Sequence, residues 1–124
     1  MREIKFRGKR VDNGEWVYAS LLNDSDGKPK EIWFYKDRLM SYVSVMPETV
    51  CQYIGLKDTS GKEIYEGDVV KSNAFSEEVV IIWKEDVASF ALSNDAWTFD
   101  HYFVEFAEPI EFTVVSNIHE LNKK

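Results

Sequence analysis

The sequence predicts a mainly β protein: an N-terminal β-hairpin and strand region, 1–54, packed on a small C-terminal β-barrel, 55–124, as two regions or as one continuous domain. Three observations carry this. Short apolar runs with β-propensity recur along the chain, and no long amphipathic helix, internal repeat or low-complexity tract interrupts them. Asn13-Gly14 lies between two such runs, the strongest short hairpin signal in the chain. The stretch from Gly55 to Val70, GLKDTSGKEIYEGDVV, is the densest run of turn chemistry and has strand-like residues on both sides.

Taken in order, Ile4 and Phe6 alternate with Lys5 and Arg7, which predicts a strand with one apolar and one wet face. Trp16–Ala19 returns from the Asn-Gly turn. Asn23–Gly27 is a polar loop. An EF-hand reading of it would put Leu22 and Trp33 at the first and closing ligand positions, and neither can coordinate calcium. Glu31–Tyr35 and Leu39–Val45 read as strands, Pro47-Glu48 as a turn or single helical turn, and Thr49–Ile54 as a strand.

Asp58 and Gly61 bracket Thr59-Ser60 as the ends of a type I turn, with Tyr53-Ile54 and Ile64-Tyr65 as hairpin arms. At the next corner Gly67 supplies a left-handed backbone and Asp68 bonds nearby amides. Asp58, Gly61, Gly67 and Asp68 are therefore expected to be structural. Val79–Trp83 and Val87–Leu92 follow as strands around a tight turn. Ser93–Pro109 is open between a short helix over Ala96–Phe99 and a further loop and strand. Phe112, Val114, Ser116 and Ile118 are expected to share one face of a closing strand.

The opening MREIKFRGKRVDNGEWVYASLL, the segment VMPETVCQYIGLKDTSGKEIYEGDVVK and the ending VVSNIHE together resemble the YopX family of phage- and prophage-encoded proteins. Order, spacing and both termini agree, and the resemblance weakens between Ser72 and Phe112. It implies an SH3-like barrel in the C-terminal part, a phage origin and no established biochemical activity, and it brings no catalytic residues. The family usually has Gly where this chain has Ala19, Cys51 and Ser116, so these are expected to be ordinary strand residues.

Composition narrows the function. At 124 residues the chain can bury a core without disulfide or metal. The single Cys51 permits no intrachain disulfide or cysteine metal cluster and reads as a buried strand thiol. No run approaches a membrane span, and the charged start is not followed by a leader's apolar stretch. The cytoplasm of the bacterial host is the expected location. His101 and His119 lack spaced partners, and no nucleophile elbow, phosphate loop or metal pair occurs. Glu105, Glu108 and Glu111 read as a solvated acidic edge. The expectation is a non-enzyme without cofactor.

The net charge of −7 hides a basic head, Arg2, Lys5, Arg7, Lys9 and Arg10 against Glu3. From Asn73 to Phe112 only Lys84 is basic, amid nine acids. Arg2, Lys5, Arg7 and Lys9 are the candidate charge-mediated contacts, by which the first strand of one subunit would add to an acidic neighbour in a homo-oligomer, or bind a phage or host protein. An alternative joins them to Trp16, Tyr18, Trp33 and Tyr35 as stacking platforms for single-stranded nucleic acid, although aromatics more commonly fill cores. A further alternative treats the acidic part as a DNA mimic that inhibits a host enzyme.

Overall fold

The structure, a computed structural model, describes residues 3–73, 75–84, 89–94, 98–99 and 111–120. It is mainly β, built from antiparallel sheets, with no α-helix among the described residues. The chain divides into two compact units, Met1–Tyr53 and Ile54–Lys124.

In the first unit, β1 (Phe6–Lys9) and β2 (Trp16–Asn23) form the Asn-Gly hairpin. Arg10 N–H donates to Glu15 O at 2.9 Å, and Gly14 takes φ 72° at the turn. β3 (Pro29–Lys36) and β4 (Leu39–Ser44) continue the meander, paired without a bulge from Glu31↔Ser44 to Lys36↔Leu39. A single 3-10 turn, Pro47–Thr49, leads into β5 (Cys51–Lys57), which pairs with the free side of β1. The order is β4-β3-β2-β1-β5. β1 is thus an interior strand, which corrects the expectation that it could add to a neighbour's sheet edge.

Thr49 fastens the 3-10 turn to the end of β1: its Oγ1 accepts from Lys9 N–H at 2.9 Å and donates to Met46 O at 2.7 Å. Gly8 packs closely there. A Cβ on it would lie 3.1 Å from Val45 Cβ and 3.3 Å from Val50 Cγ2, and would make these neighbours give by a few tenths of an ångström.

In the second unit the latter half of β5 turns through Asp58–Gly61 into β6 (Glu63–Tyr65), and Gly67 leads into β7 (Asp68–Ser72). β8 (Phe75–Lys84), β9 (Ser89–Ser93), the two-residue β10 (Thr98–Phe99) and β11 (Phe112–Asn117) complete the order β10-β9-β8-β7-β11. Ile54, Ile64, Val70, Val79, Ile81, Phe90, Leu92 and Phe112 form its core. Burying side chains of this kind stabilises by about 1.5–3 kcal/mol each before entropy is counted. The sheet does not close into a barrel among the described residues.

One finer expectation changes: the pairing of β11 with β7 shifts between Val114 and Ser116, so the regular alternation ends there, and Ile118 is exposed rather than inward. Of the two readings open for the segment after Ser93, Thr98-Phe99 follows the loop and strand, pairing with Ser93-Leu92. Along β8, Val79 and Ile81 are buried while Trp83 is 43% exposed, its ring edge-on to Phe90 at 5.2 Å. Ala19, Cys51 and Ser116 all lie in strands; among the described residues, positive φ outside glycine occurs at Asp37 and Arg38.

Candidate functional site

Pairing in the first unit decides which side chains share a face, because directly opposed residues project the same way and each strand alternates. Lys9 opposes Trp16, and Arg7 opposes Tyr18. Ser20 opposes Trp33, Leu22 opposes Glu31, Trp33 opposes Tyr42, and Tyr35 opposes Met40. The four stacking candidates, Trp16, Tyr18, Trp33 and Tyr35, therefore share one side of the sheet with Lys5, Arg7 and Lys9. The opposite side holds Phe6, Val17, Ala19, Leu21, Val43 and the fully buried Ile32.

The cations do not stand in water as the sequence suggested. Arg7 is 4% and Lys9 9% exposed. The Arg7 guanidinium lies 4.7 Å and the Lys9 ammonium 5.4 Å from the centre of the Trp16 ring. Their long stems and the indole cover one another while charge meets the ring's electron-rich face. Lys5 reaches toward Tyr53 at 6.0 Å and pairs with Glu3 at 3.3 Å. Ile4, expected inside, is 67% exposed. Arg2 lies outside the described residues, as do His101, Glu105 and Glu108.

What the side offers to solvent is apolar and aromatic. Tyr18, Leu22, Tyr35, Met40 and Tyr42 are all exposed. Trp33 stacks on Tyr42, centroids 4.7 Å apart and planes 19° from parallel, and donates its indole N–H to Glu31 Oε1 at 3.1 Å. A shallow hollow of about 330 Å³ lies against Ser20, Leu21, Leu22 and Trp33. Leu22, Met40 and Tyr42 were missed as candidates. The signal was present in the parity of Leu39–Val45, which puts Met40 and Tyr42 together once the register is known.

β4 is the edge strand of this unit's order. Val45 N–H donates to Lys30 O, so Lys30↔Val45 is a hydrogen-bonded pair. By alternation, Leu39, Ser41 and Val43 aim their backbone groups at β3, and Met40, Tyr42 and Ser44 aim theirs outward. The Ser44 carbonyl is taken by Val11 N–H at 3.0 Å. Beside it Arg10 and Asp12 form an ion pair at 2.7 Å, which raises the Arg10 pKa and lowers that of Asp12.

The structural corners are tightly made. Asp58 is 8% exposed. Its Oδ1 accepts from Ser60 N–H, Ser60 Oγ and Lys62 N–H, each at 2.9 Å, and its Oδ2 accepts from Val114 N–H at 3.1 Å. Burial pushes the carboxyl up, but the donors from Val114, Lys62 and Ser60 outweigh it and hold the pKa at about 2. Gly61 N–H donates to Asp58 O at 3.0 Å and takes φ 86°. Asp68 is 1% exposed, its Oδ2 accepting from Tyr65 N–H at 2.8 Å. Cys51 is buried at 3%, its Sγ donating to Thr49 O at 3.3 Å.

Residues 5–123 match the YopX protein family. The chain belongs to the YopX family. No protein with a curated description matches it. Among solved structures, it is similar to protein EF1440 from Enterococcus faecalis, with a TM-score of 0.57 and 19% identity, over 99% of this chain and 98% of that one. At that identity the likeness speaks for the fold. Among the described residues of this YopX-family chain, no three His, Cys, Asp or Glu side chains gather where they could hold a metal ion, and no helix is long and apolar enough to cross a membrane.

Proposed function

We propose that this YopX-family chain is a non-enzymatic phage or prophage accessory protein that works by binding protein, its own copy included, through the open side of the first unit's sheet. The observation that carries this is the exposure of Tyr18, Leu22, Tyr35, Met40 and Tyr42 on a single side. Aromatic and Met side chains gathered in one patch are the residue types that protein interfaces concentrate. Charge supports the choice of unit. Met1–Tyr53 holds nine Lys and Arg against eight Asp and Glu, whereas Ile54–Lys124 holds six against fourteen.

The test is a comparative pull-down from infected host cells with wild type and the Tyr18→Glu/Tyr35→Glu variant. The substituted residues are exposed, so the fold is expected to survive, as checked by circular dichroism. A co-purifying protein retained by wild type and lost from the variant is the expected result. Identical profiles overturn the reading.

A second reading, single-stranded nucleic acid, is favoured by one observation: all four stacking candidates share a side with Lys5, Arg7 and Lys9. It is weakened by the coverage of Arg7 and Lys9, since phosphates need cations that can reach them. Filter retention of short oligonucleotides at low salt decides it, and no retention removes it. The same proposal includes an SH3-like second unit, supported by its short antiparallel strands about one apolar core, and a reducing location in the host cytoplasm, supported by the buried lone thiol Cys51.

A further inference from the structure

The protein-binding reading leaves the partner open, and the edge of β4 narrows it. Natural sheets shield an edge with charge, proline, a bulge or a very short strand. β4 reads LMSYVS across six residues, with no charge, no proline and an unshifted register against β3. The outward backbone groups of Met40 and Tyr42 are met by no strand among the described residues, whereas Ser44 O is occupied by Val11.

We infer that β4 pairs antiparallel with β4 of a second copy, about a two-fold axis passing beside Ser41. This inference rests on the protein-binding reading and names the chain itself as partner. The register follows from which groups remain to be met. An axis at Tyr42 would set Met40 against Ser44 of the partner, whose carbonyl is taken. An axis at Ser41 sets Met40 against the partner's Tyr42 twice over, and both are outward-facing residues that exchange two N–H···O=C bonds. Four backbone bonds result, and the Met40 thioether comes beside the partner's Tyr42 ring, a favourable sulfur–aromatic contact.

Pairing at this edge covers the flanks of Met40 and Tyr42, 48 and 56% exposed, and leaves both faces of the sheet open, so the contact is small and the dimer is a weak, concentration-dependent one. The contact is isologous and closed, so it ends at a dimer.

The register gives a sharp test. Ser41 would face the partner's Ser41 as a non-hydrogen-bonded pair with Cα atoms about 4.5 Å apart, within disulfide reach. Full-length Ser41→Cys is expected to form a covalent dimer under mild oxidation, while wild type, whose Cys51 is buried, and Ser44→Cys do not. Tyr42→Pro removes an outward N–H without breaking the pairing with β3, and in the Ser41→Cys background it is expected to abolish the cross-link. Light scattering of unmodified wild type keeps the inference testable if a variant misfolds, and it should show mass rising toward the dimer with concentration. Overturning results are a concentration-independent monomer, or cross-linking of Ser41→Cys no faster than Ser44→Cys. A monomer that still loses its captured protein on Tyr18→Glu/Tyr35→Glu substitution sinks the dimer alone; a dimer with an unchanged capture profile leaves it standing.

Discussion

Replacing Asp58 by Asn is expected to cost about 2–3 kcal/mol at pH 7, the range for stripping a charge-assisted buried acceptor of its donors. The carboxylate has acceptor capacity only, and it is met by donors on both oxygens, three on Oδ1 and the Val114 amide on Oδ2. An amide must present its NH₂ group to at least one of them, donor against donor. The turn and β11 lose their common tie together. The pH dependence has a definite sign. The folded pKa is lowered to about 2, so the stabilising contribution is complete above the ordinary aspartate range and is lost as pH falls toward 2. Urea denaturation of wild type should show about 2 kcal/mol of this loss between pH 6 and pH 2. The Asn variant should lack it, so the two stability curves converge on acidification. Curves that stay parallel would place Asp58 outside the network drawn for it.

Gly67→Val is the second substitution with a large expected effect. Gly67 sits at φ 87°, donates its N–H to Ile81 O at 2.7 Å and accepts from Ile118 N–H at 2.9 Å. A β-branched residue resists that backbone by about 2 kcal/mol or more. Relaxing the corner instead breaks two hydrogen bonds that hold β8 and the end of β11 to the turn. Thermal unfolding should drop by several degrees. Gly67→Ala should lie between the two, since the strain begins with any Cβ. An unchanged melting temperature in the Val variant would mean that the corner is not left-handed in solution.

Much of the strand order was legible because local chemistry dictated it. Asn13-Gly14 fixed the first hairpin, and Asp58 with Gly61 fixed the second, each through backbone demands that few other residues meet. Which side of β1 is covered was not legible. Alternation distinguishes two faces but cannot say which one a neighbour will shield. Hydrophobicity alone puts Ile4 and Phe6 inward, yet Trp16 folds across Arg7 and Lys9 and takes the cations inside. Long cationic stems are apolar enough for that exchange. Nor could sequence show that β1 is flanked by both β2 and β5, because that depends on the distant return of Cys51-Gln52. The register slip near Val114 was equally hidden, since Val114-Val115 reads as regular strand. The exposed side was half visible: Trp16, Tyr18, Trp33 and Tyr35 were flagged by type, but their gathering with Met40 and Tyr42 depends on cross-strand register.

The most direct test of the claim that the β4 edge of the first unit is a contact between copies is backbone hydrogen exchange across a concentration series of wild-type protein. The Met40 and Tyr42 amides should exchange rapidly in dilute solution and slow progressively as concentration rises, while the amide of the fully buried Ile32 stays unchanged. Exchange at Met40 and Tyr42 that is independent of concentration would contradict the account.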